Sequence, residues 1–277
     1  MTAEPRPGSA PTGVVGSSGE PDVVLSLRGI SRSFGHVRAL DKVDLDLRRG
    51  EVLGIVGDNG AGKSTLMKIV AGTVRADEGE IFVDGARVSI ENAQDARRLG
   101  IEMIYQDLAL FNNLDVAANI FIGREHTSGS FGLLSFMRER LMHQEAAALL
   151  TRLGIKIGTT RQLVEGLSGG QRQMVAIARA IAFQSKLLIM DEPSASLGAS
   201  ESSTVLEIIR GLHEHGVSVI LISHRIPEVI ANSSRVMVIK GGQNVVVLDS
   251  AKSSVDECVN FIVAGRTALS ATQPGLA

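Results

Sequence analysis

The run Gly57-Asp58-Asn59-Gly60-Ala61-Gly62-Lys63-Ser64-Thr65 fits the pattern G-x-x-x-x-G-K-[ST], and its surroundings fit too. A continuous apolar stretch, Glu51–Val56, leads into it, and helical spacing at Leu66, Met67, Ile69 and Val70 leads out. A strand that opens through glycines onto a helix start demands an α/β layout. Glycines let backbone N–H groups close around β- and γ-phosphates with no Cβ in the way. The helix start turns its positive dipole end toward the same anion. Lys63 supplies a point charge, and the Ser64 hydroxyl can ligate Mg²⁺.

Two further segments carry chemistry. Leu187-Leu188-Ile189-Met190-Asp191-Glu192 is an apolar strand ending in two carboxylates. That places Asp191 at the carboxyl end of a sheet, where it would hold Mg²⁺ mostly through water. Glu192 beside it would polarise an attacking water as general base. A plain acidic strand end, turned by Pro193, is the bland alternative. Leu167-Ser168-Gly169-Gly170-Gln171 precedes a helix with apolar Met174, Val175, Ile177, Ala178 and Ile181. Ser168 and Gln171 have capping-box spacing, and the glycines leave bare N–H groups for an anion.

Strand-like and helical segments alternate along the chain. Strands are expected at Val23–Leu27, Val43–Leu47, Ile101–Gln106, Lys186–Met190, Val217–Ser223, Val236–Ile239 and Val245–Leu248. Glu80–Val83 and Arg87–Ile90 read as a hairpin through Asp84-Gly85. Helices are expected at Asn92–Leu99, Arg138–Leu153, Ser168–Phe183 and Ser202–His213. The pattern predicts a mainly parallel sheet with a small antiparallel sheet beside it. Residues 1–21, rich in Pro, Gly and Ser, read as a disordered leader, and 267–277 as a flexible tail.

In these motifs the chain strongly resembles the ABC ATPase family, from about Val23 to Phe261. The resemblance implies a P-loop NTPase (RecA-like) core over residues 22–266, with an inserted helical subdomain at about 93–170. It implies ATP and Mg²⁺ as ligands, hydrolysis of ATP, and γ-phosphate recognition by Ser168, Gly169, Gly170 and Gln171. Phe34, in Ser33-Phe34-Gly35, matches the aromatic that stacks on adenine, although a plain core phenylalanine also fits. Gln106 matches the glutamine that touches Mg²⁺ or the attacking water and senses the membrane subunit. His224 matches the switch histidine at the γ-phosphate.

Each motif occurs once, so the resemblance implies a head-to-tail homodimer with nucleotide between the Lys63 loop of one chain and Ser168–Gly170 of the other. It also implies transmembrane permease subunits as partners, engaged near 106–125, and a place on the cytoplasmic face of the membrane. Val37-Arg38-Ala39-Leu40, Met103-Ile104-Tyr105-Gln106-Asp107-Leu108 and Asn119-Ile120-Phe121-Ile122-Gly123-Arg124-Glu125 look like the ATP-binding subunits of simple-sugar importers of the ribose, xylose and fructose kind. An extracytoplasmic sugar-binding protein then follows as an indirect partner. Gly198 departs from the family, which usually has Asp after the leucine at this point.

Composition narrows the rivals. A net charge of −2 and 3% aromatic content give no basic or stacking surface for nucleic acid. No apolar run is long enough to cross a bilayer. The lone Cys258 excludes an internal disulfide and fits a reducing compartment. A cassette moving another cargo (branched-chain amino acid, lipid or drug) stays open, as do a soluble ABC ATPase working on nucleic acid and an inactive regulatory subunit.

Overall fold

The computed structural model describes residues 22–131, 134–183 and 185–265. The expected leader and tail lie outside the described residues. In chain order the elements are β1 (Val23–Phe34), β2 (Val37–Arg48), β3 (Val52–Val56), α1 (Lys63–Val70), β4 (Glu78–Val83), β5 (Ala86–Val88), α2 (Ala93–Arg98), β6 (Ile101–Ile104), α3 (Val116–Phe121), β7 (Thr127–Phe131), β8 (Leu134–Met137) and α4 (Glu139–Arg152). There follow α5 (Gly169–Ile181), β9 (Leu187–Asp191), α6 (Ala199–Gly211), β10 (Ser218–Ile222), α7 (Ile226–Asn232), β11 (Arg235–Lys240), β12 (Gln243–Asp249) and α8 (Val255–Ala264).

The central sheet runs β12-β11-β3-β10-β9-β6. All of its neighbours pair parallel except β11 with β12. A second, antiparallel sheet runs β2-β1-β4-β5, and β7 pairs with β8 as a separate hairpin. The fold is therefore the α/β architecture expected.

The central strands read as unbroken apolar runs because both faces are covered. Alternation within each strand decides which side chain goes where. Leu53, Ile55, Ile189, Ile220 and Ile222 join a core with α1 and the antiparallel sheet. Val52, Leu188, Met190, Val219 and Leu221 join another with α5 and α6. Gly54 sits in the middle of β3 because α7 packs there: a Cβ at this position would lie 2.2 Å from Val229 Cγ1. β1 and β2 alternate buried and exposed residues, as a sheet with one covered face should.

Several segments differ from expectation. β1 and β2 are each 12 residues long, since bulges let the pair continue past irregular pattern. β6 stops at Ile104, so Gln106 lies beyond the strand in a bend. Within the region 93–170, residues 101–104 belong to the central sheet, and β7–β8 interrupts the helices.

Candidate functional site

Parallel order puts the chemistry at one edge. β3, β10, β9 and β6 are successive neighbours, with Ile55 opposite Ile222, Ile222 opposite Asp191 and Ile104 opposite Met190. Their carboxyl ends therefore emerge side by side. From them issue Gly57, then Ser223 and His224, then Glu192, then the bend holding Gln106. The carboxyl edge of an open parallel sheet is where such folds bind ligands.

The loop is shaped by contacts that admit no side chain. Gly57 has φ 155°, and a Cβ there would lie 2.1 Å from the Ile239 carbonyl oxygen. Gly62 has φ 104°, and a Cβ there would lie 2.6 Å from the Ala39 oxygen. The turn after β11 is bonded to the same loop, Gly242 donating its N–H to Ala61 O at 3.0 Å. Asp58, Asn59 and Gly60 stay exposed, while Ala61 and Gly62 are buried against β2. Lys63, the first residue of α1, is buried and folds back over the loop. Its Nζ donates to Gly57 O at 2.7 Å and Asp58 O at 2.9 Å. Burial pushes its pKa down, and the charges of Glu192, Asp191 and Asp58 push it up. Ser64 and Thr65, next on α1, are half-buried.

Asp191 is half-buried at the end of β9 and makes no salt bridge among the described residues. Burial raises its pKa, opposed by a hydrogen bond from Ser64 and by the Lys63 charge. Glu192 adopts φ 55°, a left-handed backbone uncommon for glutamate. Its N–H donates to Ile222 O at 2.9 Å, fixing the turn to β10. Its carboxylate accepts the His224 N–H at 2.9 Å and the Ser223 hydroxyl at 3.3 Å. His224 Nδ1 lies 2.8 Å from Glu192 Oε2. A cavity of about 360 Å³ opens beside these groups, lined by Gly57, Asp58, Asn59, Ser223 and His224 and walled by α8.

Ser168 and Gln171 make the expected capping box, with Ser168 N–H to Gln171 Oε1 at 3.0 Å and Gln171 N–H to Ser168 Oγ at 3.2 Å. Gly169 and Gly170 form the first turn of α5. None of these four residues lines the cavity beside the phosphate loop. Gly170 has a local reason to be glycine: a Cβ there would lie 2.9 Å from Glu201 Cβ. Phe34 stands at the β1–β2 turn, 47% exposed, so it is not a core residue. Gln106 is exposed, and its side chain makes no hydrogen bond among the described residues. The loop after it is pinned to α5, Arg179 donating to Leu108 O at 2.6 Å and Ala109 O at 2.8 Å. That pull explains why β6 ends early.

Sequence reasoning passed over Ser223 and Glu201. Ser223 donates to Glu192 from another strand, a pairing no local pattern reveals. Glu201 did leave a signal, since Gly198-x-x-Glu201 has the spacing of a helix start. Bonds from Ser168, Gly170 N–H and Gly198 N–H hold its carboxyl below the usual range.

This fold and this loop define a nucleotide-binding α/β protein of the phosphate-loop class. The chain belongs to the ABC transporter family, whose model matches residues 40–195. It is 42% identical over 246 residues to the fructose import ATP-binding protein FrcA of Rhizobium meliloti, covering 88% of this chain and 95% of that one. It is 41% identical to a putative ribose/galactose/methyl galactoside import ATP-binding protein of Burkholderia ambifaria, covering 95% of this chain but 48% of that longer one. Among solved structures it resembles an ATP-binding cassette of an ABC transporter in its ADP conformation, with TM-score 0.75 and 24% identity, over 89% of this chain and 97% of that one.

Proposed function

We propose that the chain is the ATP-binding and ATP-hydrolysing subunit that drives an importer of simple sugars, docked on the cytoplasmic side of membrane permease subunits. The observation that carries the reading is the convergence of the Lys63 loop, Asp191-Glu192 and Ser223-His224 at the carboxyl edge of three adjacent parallel strands. The names of the relatives, fructose and ribose/galactose import, support the cargo class. No helix of the described residues is long and apolar enough to cross a membrane.

The roles follow from the geometry. Backbone N–H groups of residues 57–65 wrap the β- and γ-phosphates, and Lys63, already oriented by two loop carbonyls, adds the charge. The donor set near them fits Mg²⁺. Ser64 and Asp191 offer hard oxygens, and the Asp191 carboxylate is half-buried without an ion partner. Ser64 and Asp191 would hold the ion; no group of three or more His, Cys, Asp or Glu residues among the described residues could hold a metal by itself. Held there, Mg²⁺ would supply positive charge against the phosphate oxygens. Gln106, exposed in the bend beyond β6 with no side-chain hydrogen bond among the described residues, would reach Mg²⁺ or the attacking water. Glu192 orients the water as general base, its carboxylate aimed by Ser223 and by the His224 N–H. His224 is poised to contact the γ-phosphate, and Phe34 offers a ring face to the base.

Ser168, Gly169, Gly170 and Gln171 serve the second nucleotide site of a head-to-tail homodimer, since they stand apart from the cavity beside their own chain's loop. Phosphate charge then holds two chains together, and hydrolysis releases them. The extracytoplasmic sugar-binding protein acts through the permease. Glu192→Gln keeps the shape of the site and removes the base. It is expected to bind ATP normally while turnover falls by at least about a hundredfold. Undiminished turnover in that variant, assayed in the assembled complex, would remove Glu192 from the mechanism.

A further inference from the structure

We propose that Arg32, clamped by Asp77 against one face of the Phe34 ring, is a positioning residue that presents the opposite face to the adenine base. This rests on the reading of Phe34 as the base platform and extends it to a residue pair that no motif marks.

The geometry is specific. The Arg32 guanidinium carbon lies 4.8 Å from the Phe34 ring centroid. Its Nη1 lies 2.5 Å from Asp77 Oδ1. The other oxygen of Asp77 accepts the Ser33 N–H at 2.7 Å, and the Asp77 N–H donates to Ser31 O at 2.9 Å. Asp77 is thus fastened to β1 on both sides of the arginine it holds. Arg32 and Phe34 stand two apart on one strand, so they share a face.

The pairing register slips at this point. Arg32 faces Leu40, yet Ser33 faces Arg38, which leaves Ala39 as an extra residue on β2. A bulge of this kind re-aims side chains. It also pushes the Ala39 carbonyl against Gly62, so the hairpin tip and the phosphate loop are in direct contact. The platform and the phosphate grip are therefore held at a set separation.

Arg32 Nε is buried with no hydrogen-bond partner. An arginine free to swing into solvent would satisfy that donor, so the ring and Asp77 together hold it in place. A phenylalanine at an exposed hairpin tip otherwise keeps its rotamer freedom, which a ligand must remove on binding. The cation under one face removes that freedom beforehand. It also draws electron density from the ring, which favours stacking of an electron-rich purine on the free face.

The test compares ATP with inorganic tripolyphosphate by isothermal titration on the 277-residue chain. Arg32→Ala is expected to weaken ATP about three- to tenfold and leave tripolyphosphate unchanged. Asp77→Asn is expected to shift ATP in the same direction by less, and Arg32→Lys to recover part of the loss. In a Phe34→Ala background, Arg32→Ala is expected to add nothing. Equal loss of both ligands, or a full Arg32→Ala effect without the ring, would overturn the proposal. If Phe34→Ala weakens ATP selectively while Arg32→Ala and Asp77→Asn do not, the clamp alone falls. If Phe34→Ala leaves ATP untouched, the platform reading falls and takes the clamp with it. Should Arg32→Ala fail to fold, Asp77→Asn carries the same comparison.

Discussion

Lys63 and Gly62 show how little freedom single positions have at the phosphate loop. The Lys63 ammonium is buried and satisfied only by two carbonyls of its own loop, so its truncation deletes charge and loop geometry together. Lys63→Ala is expected to cost at least about tenfold in ATP affinity and most of the turnover. Titration of the variant checks it, and unaltered affinity would remove the loop from the nucleotide site. Gly62→Ala tests shape rather than charge. Its φ of 104° and the 2.6 Å approach of Ala39 O leave a methyl group no room. A loss of about 1–3 kcal/mol in urea unfolding is expected, together with weakened nucleotide binding. Gly198 behaves oppositely. It is the N-cap of α6, has φ −66°, and a Cβ there meets nothing within 4 Å. Gly198→Asp should add the missing side-chain cap and raise stability by a few tenths of a kcal/mol, read as a higher urea midpoint. At this scale the local motifs were legible, because each is a contiguous string with its own stereochemistry. Arg32 and Ser223 were not, because their partners Asp77 and Glu192 come from distant segments, and the spacing that marks Glu201 as a helix start does not reveal its bond to Ser168.

Elements reveal a different mixture. β3, β9 and β10 were legible as short apolar runs, since burial on both faces leaves no polar interruption. α5 announced itself through its capping spacing, and both bonds of that box are present. The carboxyl end of β6 and the β7–β8 hairpin were not legible, because tertiary contacts such as Arg179 to Leu108 O act where the chain leaves the sheet. The β4–β5 turn joins the antiparallel sheet to the central one electrostatically. Asp84, at φ 50° in that turn, lies 2.5 Å from Lys186 Nζ and 2.7 Å from Arg49 Nη2. Lys186 first, then Arg49, hold its carboxyl below the ordinary 3.8. A depressed carboxylate stabilises the fold above its unfolded pKa, and that contribution is lost as pH falls through the folded value. Both pairs are partly exposed, so together they contribute about 0.5–1 kcal/mol. Asp84→Asn, which tolerates the same left-handed backbone, should lower the urea midpoint at pH 7, and the gap should close as pH falls below 3.8 and through the depressed folded value. A constant gap at all pH values would show that the ion pairs are not its source.

At the scale of the whole molecule, α5 and the loop that follows Gln106 are fastened together. Arg179, on the helix that Ser168 caps, reaches across to two carbonyls of that loop. Burial lowers its pKa, and the nearby Glu102 charge opposes that. Glu102 in turn pairs with Arg124 at 3.1 Å, and the Arg124 guanidinium lies 4.2 Å over the Phe183 ring. In the proposed homodimer, movement of α5 as a second chain closes on it would carry the loop after Gln106 and the Arg124 region along. That region falls inside the stretch where the permease is proposed to dock. Arg179→Ala touches no group at the phosphate loop and removes both hydrogen bonds of this link together with the charge facing Glu102. Basal ATP turnover of the isolated chain should then change less than about twofold, while stimulation by the permease and transported sugar falls about tenfold. The measurement is turnover with and without the membrane partner in the same preparation. If both rates drop equally, the arginine supports the fold at large and the tether transmits nothing.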